Sequence, residues 1–186
     1  DPMSVEEVLA DKPIAFPFTR SMCAPLSDGA AAAVVCNAAG LARLAEAKPR
    51  ALTIRASTLR SGVDRETGEF ERHIGRLTAL AAYEEAGLGP EDIDCIEVHD
   101  ATAYAEVQQI ENLGLAEPGT VGARLAEGDF ALGGRQPVNA SGGLLSKGHP
   151  VGATGIIQLH DLAVQLRGEV GNGQVDGARI GLAENG

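Results

Sequence analysis

Apolar and polar positions switch repeatedly between a helical and a strand period along the chain. Near the start, Ser4 stands three residues before Glu7, the reciprocal pair that caps a helix, and predicts a helix over Ser4 to Ala10. Pro13 and Pro17 then break any long element, so residues 1–28 read as an irregular lead-in. Ala30 to Cys36 is an unbroken small-apolar run between turn residues, short enough to predict a buried strand. A helix over Ala38 to Ala47 stops before Pro49, Ala51 to Ser57 alternates as a strand, and Gly62 to Glu71 is a charged loop.

The second half repeats the alternation more strongly. Ile74 to Ala86 is a helix with Ile74, Leu77 and Ala81 on one face, Gly87 just past its end and Pro90 beyond. Cys95 to Val98 is a short strand running straight into His99 and Asp100, and a helix from Tyr104 to Leu113 closes at Gly114. Ala116 to Phe130 reads as a surface excursion, and Gln136 to Ala140 as a short strand inside a glycine-rich stretch. The periodicity of Ile156, Leu159, Ala163 and Leu166 predicts the buried face of a helix over Gly152 to Arg167. A glycine turn then leads to a last strand, Ala178 to Ala183. Strands alternating with helices predict one α/β domain over residues 29–186, three-layer α-β-α with a mostly parallel mixed sheet. Ligands of such sheets collect beyond the carboxyl ends of the strands.

Composition narrows the function classes. The 186 residues carry 15 basic and 26 acidic side chains, a net charge of −11, which argues against nucleic acid as partner. Hydrophobic residues make up 44%, enough for a core, yet no run approaches the ~18 apolar residues of a membrane span. The first residues lack a signal peptide and an initiator methionine, so a start inside a longer protein is expected. Cys23, Cys36 and Cys95 are an odd set at unrelated spacings, which suits a reducing, cytoplasmic compartment better than a disulfide framework. Walker, GxGxxG and GxSxG patterns are absent, and Cys and His do not cluster at zinc spacing, so neither a metal nor a resident cofactor is expected.

Two histidines remain. His99 ends a buried strand before a helix, and His149 sits in the loop GGLLSKGHPVGATG before another, so both project at the rim where a crevice is expected. The positive end of the following helix disfavours an imidazolium at His149. A neutral imidazole can donate an N–H to a carbonyl oxygen becoming an oxyanion, or take a proton from a thiol. The competing reading for each is a histidine that caps a helix or fills a loop. His73 and His160 read as surface residues, and Cys23 and Cys95 as small structural hydrophobes.

The run from Asn139 to Gly155 resembles the GHPxGATG signature of thiolases in its sterol-carrier-type form. Ser27-Asp28-Gly29-Ala30-Ala31-Ala32 is similar to the DGAAA strand entry of that family, and Glu97 to Thr102 falls where its NEAF or HDCF motif lies. Gly181 to Gly186 resembles the start of its final glycine-rich turn. The ordered matches cover nearly the whole chain, and they are similar to the C-terminal half only. The resemblance implies a thiolase-like half in which His149 activates a nucleophilic cysteine supplied by the N-terminal half. His99 completes an oxyanion hole, and Ala101, Gly143, Gly148 and Gly186 border the substrate. Coenzyme A thioester enters as substrate, not as cofactor. The implied partners are the N-terminal thiolase half, further copies in a homo-oligomer, acyl-CoA and, in some relatives, a zinc-ribbon and OB-fold accessory protein.

One departure stands out. The family's second cysteine, the acid/base at the substrate α-carbon, is missing: its two usual places hold Ala101 and the stretch Glu184-Asn185-Gly186. The expected activity is acyl transfer on coenzyme A esters, either 3-ketoacyl-CoA thiolysis or acetyl transfer, in lipid or steroid side-chain metabolism. The rivals are a retro-aldolase that needs no second cysteine and a non-catalytic acyl-CoA or lipid-binding protein. Tyr104 offers a hydroxyl near the site, with packing as its competing role.

Overall fold

The computed structural model describes residues 3–186; the first two residues of the predicted lead-in lie outside the described part. The N-terminal helix α1 (Val5–Ala10) starts at Ser4 with the predicted capping box, the Ser4 hydroxyl accepting the Glu7 N–H and the Glu7 carboxylate accepting the Ser4 N–H. A small antiparallel pair, β1 (Pro13–Ala15) and β2 (Phe18–Thr19), follows inside the expected irregular segment.

The centre of the fold is β3 (Cys95–Glu97), which pairs in parallel with β4 (Gly181–Ala183), Cys95 opposite Gly181 and Glu97 opposite Ala183. On its other edge, Val138 bridges Ile96 in parallel, held by hydrogen bonds from the Ile96 N–H to Pro137 and from the Asn139 N–H to Ile96. The predicted strand over Gln136 to Ala140 is thus reduced to one bridge beside Pro137, which has no N–H to extend a ladder. Side chains of β3 alternate. Ile96 and Val98 enter a core with Ala79 and Tyr83 of α3 (Ile74–Ala86) and Ile110 of α4 (Ala103–Asn112). Cys95 points the other way, against Leu162 of α7 (Thr154–Leu166) and Val175. Helices therefore cover both faces of a small parallel sheet, as the layer pattern predicts. Fully buried side chains of this size each contribute about 1.5–3 kcal/mol, so Ile96, Val98 and Ile110 anchor the sandwich.

Several expectations are corrected. Ala30 to Cys36 and Ala51 to Ser57 are not strands; no described segment pairs with them, and Val34 is 87% exposed. An apolar β-prone run specifies what it needs to bury against but supplies no ladder partner of its own. Helix α2 (Ala38–Arg43) ends before the expected Ala47, because the chain tightens into a 3-10 turn over Ala45–Arg50 that contains Pro49. The stretch 116–130 is not a surface excursion: it contains α5 (Val121–Ala126) and sends Val121 and Phe130 into the core. On α7 the buried positions are Thr154, Gln158, Leu162 and Gln165, whereas Leu159, predicted inward, is exposed. That helix packs on backbone turns whose polar groups glutamines can satisfy, as the Gln158 bond to the Glu184 carbonyl and the Gln165 bond to the Gly173 carbonyl illustrate.

Among the described residues no helix is long and apolar enough to cross a membrane.

Candidate active site

His99 lies two residues past the end of β3, so its position is fixed by the central strand. His149 follows α6 (Gly143–Lys147), a short helix that the sequence reading did not predict. The two rings meet edge to face, with centroids 4.9 Å apart, and Nε2 of one lies 3.3 Å from Nε2 of the other. The imidazoles predicted to share a rim therefore form a contacting pair. Burial, and next the neighbouring His149, hold His99 below the usual histidine range, with Asp100 pulling weakly the other way. A 3.3 Å gap between two ring nitrogens accommodates one proton, so the pair works as one donor facing one acceptor.

The His149 ring is oriented from behind, and His99 is held through its backbone. Nδ1 of His149 lies 2.8 Å from the Thr154 hydroxyl, which is itself 3.3 Å from the Pro150 carbonyl at the start of α7. If the hydroxyl donates to that carbonyl, it accepts the Nδ1 proton, leaving Nε2 of His149 as a base. The His99 backbone N–H donates to the Glu184 carboxylate at 3.1 Å, at the carboxyl end of β4.

The loops carrying the two histidines are laced together by residues 23–27. Cys23 bridges Thr102, the Ala24 N–H donates to the Ala101 carbonyl, the His149 N–H donates to the Pro25 carbonyl, and Leu26 bridges His149. An open cleft of about 460 Å³ runs beside this lacing, between Ser27–Ala31 and Pro150–Ala153. Neither histidine lines it.

A set of buried and half-buried carboxylates holds the scaffold. Asp100, 1% exposed, accepts the N–H groups of Leu144 at 2.7 Å and Leu145 at 3.2 Å at the start of α6. Glu97 accepts the Ser141 hydroxyl at 2.6 Å and its N–H at 3.3 Å. Glu106 accepts from the Asn139 amide, whose own oxygen takes the Val98 N–H, and Asn139 adopts a left-handed φ of 50° to do so. Burial is the largest influence on Glu97, Asp100, Glu106 and Glu184, and it pushes each above the usual carboxylate range.

The other predicted positions fall as follows. Gly186 passes over His99: a Cβ there would lie 3.1 Å from its Nδ1. Gly143, at φ +60°, leaves no room for a side chain because Asp100 Oδ2 lies 2.2 Å from where its Cβ would be. Gly148 abuts Ser27 in the same manner, its Cβ position 2.6 Å from the hydroxyl oxygen. Ala101 brings no ionisable group and ties its carbonyl to Ala24. Tyr104 is 58% exposed and packs in no core. Cys95 faces α7, where burial pushes its thiol up to about 12, while Cys36 is exposed. His160 is exposed as predicted, but His73 is half-buried and caps α3 by accepting the Gly75 N–H. Asp100, Thr154 and Glu184 were missed as site residues. For Asp100 and Thr154 the signal available was adjacency to the two histidine motifs, and for Glu184 it was its place in the final turn, Gly181 to Gly186.

Comparison with known proteins agrees with this architecture. A family model for the thiolase C-terminal domain-like region matches residues 66–186. Sterol carrier protein 2 of Rattus norvegicus is 38% identical over 191 residues, covering 100% of this chain and 35% of that protein. The acetyl-CoA acetyltransferase of Methanothermobacter thermautotrophicus is 40% identical over 192 residues, covering 98% and 48% respectively. The benzoylsuccinyl-CoA thiolase subunit BbsB of Thauera aromatica is 37% identical over 176 residues, covering 94% and 45%. The chain thus spans half or less of the length of these curated relatives. Among solved structures, a chain described as an Ltp2-ChsH2(DUF35) aldolase superposes with a TM-score of 0.73 at 20% identity, over 98% of this chain and 48% of that one. With the family match spanning residues 66–186 and the histidine-bearing motifs inside it, the chain belongs to the thiolase C-terminal domain family.

Proposed function

We propose that this chain is the histidine-bearing half of an acyl-CoA acyltransferase that carries out 3-ketoacyl-CoA thiolysis or acetyl transfer in lipid or steroid side-chain metabolism. The observation that carries the reading is the His99–His149 contact, 3.3 Å between ring nitrogens. His149 takes the proton of a cysteine thiol presented by the N-terminal half, and the thiolate attacks the thioester or keto carbonyl. An imidazole N–H of the pair donates to the carbonyl oxygen as negative charge develops there, with the Gly186 backbone closing over His99 as a second polar wall. The coenzyme A ester is substrate, and no resident cofactor takes part. In this reading the nucleophile comes from the N-terminal half and not from Cys95, whose thiol is buried and pushed up to about 12. The isolated half is accordingly inactive. The exposed apolar side chains of 30–36 and 51–59 form the surface that the N-terminal half and a second copy cover.

A retro-aldolase is the second reading. It is favoured by the lack of a cysteine at positions 101 and 184–186, because cleavage of a 3-hydroxyacyl-CoA needs an enolate-stabilising site but no thiol acid at the α-carbon.

The test uses the complete protein. 3-Ketoacyl-CoA with free CoA should yield acetyl-CoA, and H149A or H99A should cost on the order of a hundredfold to a thousandfold in kcat, the usual loss for one oxyanion donor. Cleavage of 3-hydroxyacyl-CoA without added CoA would transfer the assignment to the aldolase. Acyl-CoA binding without turnover of either ester would overturn both and leave a binding protein.

A further inference from the structure

We propose that the carboxyl group of Glu184 is the proton carrier at the substrate α-carbon. The inference rests on the acyl-CoA reading above and concerns a step that thiolysis and aldol cleavage share. It begins from a gap: the paired histidines can hold a carbonyl oxygen, but Ala101 beside them has no proton to give, Tyr104 is exposed, and the Cys95 thiol faces α7.

Of the four carboxylates around the site, Glu97 and Asp100 buried and Glu106 and Glu184 half-buried, three are tied to the scaffold. Asp100 is bound by the start of α6, Glu97 by Ser141 and Glu106 by Asn139. Glu184 differs in its donor, which is the backbone N–H of His99, a member of the pair. Its placement is rigid. The Glu184 N–H donates to the Glu97 carbonyl at 2.8 Å, extending the parallel pairing of β3 and β4 by one step. Its own carbonyl accepts the Gln158 amide at 2.9 Å, which pins the same residue to α7. Two residues later the chain crosses the Nδ1 side of the His99 ring at Gly186, while His149 meets the same ring at Nε2. Burial holds its carboxyl above the usual range, which makes it a stronger proton acceptor than an ordinary carboxylate and leaves an acid to return the proton.

The step balances as follows. A Cα–H bond of acetyl-CoA breaks and its proton goes to a Glu184 oxygen. The electron pair forms the carbon–carbon double bond of the enolate, and the carbonyl π pair moves to the thioester oxygen, which accepts an imidazole N–H. In the cleavage direction the carbon–carbon bond breaks, its pair enters the same enolate, and the Glu184 carboxylic acid protonates the carbon to release acetyl-CoA.

The test follows loss of methyl protons from acetyl-CoA in D2O by NMR, with acyl transfer to the enzyme measured in parallel by mass. E184Q keeps an oxygen for the His99 N–H but has no ionisable proton, and E184D keeps the acid. Expected is exchange in wild type, at least a hundredfold slower exchange in E184Q with acyl transfer retained, and recovery above E184Q in E184D. Exchange by E184Q near the wild-type rate would overturn the assignment while leaving the acyl-CoA reading intact. So would E184D no faster than E184Q. Wild type that neither exchanges nor becomes acylated would overturn the acyl-CoA reading, and this proposal with it.

Discussion

Asp100 and Gly143 offer a stability experiment whose outcome depends on one contact. The Asp100 carboxylate accepts two N–H groups of α6, from Leu144 and Leu145, and α6 leads directly to His149. Asp100→Ala leaves the Leu144 N–H buried without a partner and the Leu145 N–H partly so. An orphaned buried donor costs about 1–3 kcal/mol, and removal of a carboxylate that is itself costly to bury offsets part of this. The net expectation is about 2–4 kcal/mol of lost stability at pH 7.

Gly143→Ala acts on the same contact from the other side. Its backbone sits at φ +60°, which costs a residue with a side chain roughly 1–2 kcal/mol, and its Cβ position lies 2.2 Å from Asp100 Oδ2, well inside any allowed contact. The carboxylate must move and loses its bonds to α6, so the single variant is expected to cost about as much as D100A plus the φ term. Combining the two removes the clash. In the D100A background G143A should cost only the φ term, roughly 1–2 kcal/mol. The double variant is therefore less destabilised than the sum of the singles by about 2–4 kcal/mol, far above the ~0.5 kcal/mol scatter of independent sites. Urea unfolding of the complete protein, compared at constant m, reads all four corners of the cycle. Additive singles, or a D100A protein within about 0.5 kcal/mol of wild type, would refute the claim that this carboxylate fixes the His149 loop.

Two further outcomes are expected. Burial raises the native pKa of Glu97 above the ordinary 4.5, so its protonation favours the fold. The stability this contributes is fully present below the unfolded value and lost as pH rises through the native one. Denaturant midpoints should therefore show Glu97→Gln gaining on wild type as pH rises from about 4.5 towards neutral, and a difference independent of pH would contradict the burial argument. Thr154→Val removes the hydroxyl 2.8 Å from Nδ1 of His149 and should lower kcat about tenfold with KM little changed, while Thr154→Ser stays near wild type. Unaltered kcat in T154V would remove Thr154 as the group that orients the ring.

How much of this was legible depended on whether the deciding contacts were local. Helix α3 was bounded correctly over Ile74 to Ala86 because Gly87, in the left-handed region at φ 66°, ends it, and the Ser4–Glu7 box set the start of α1 for the same reason. Both signals act within a few residues. Strand β3 was legible because Cys95 to Val98 is a short, mostly apolar segment lying between Asp94 and His99-Asp100. The buried face of α7 was not. Periodicity ranks side chains by polarity, and the helix instead buries Gln158 and Gln165, whose amides satisfy backbone groups of Glu184, Gly173 and Val175. A pattern along one helix contains no information about which turns will lie against it.

The site shows the same division. That His99 and His149 lie at strand and loop ends can be read from their immediate neighbours, and their 3.3 Å contact follows once both ends meet at one rim. What brings them there is long-range. Residues 23–27 bridge Thr102 on one side and His149 on the other, a connection between three segments separated by tens of residues, and no periodicity announces it. The Asp100 hold on α6 is similar: the carboxylate is adjacent to His99 in sequence, but its partners lie 44 and 45 residues away. Motif adjacency was the usable clue, because a buried carboxylate beside a site histidine must find donors, and the glycine-rich loop offers backbone N–H groups. At Gly143 and Gly148 the close approach that glycine permits is made instead to Asp100 and Ser27. The glycines that read as room for a substrate therefore act first as room for the side chains that set the loop, and the loop in turn sets His149.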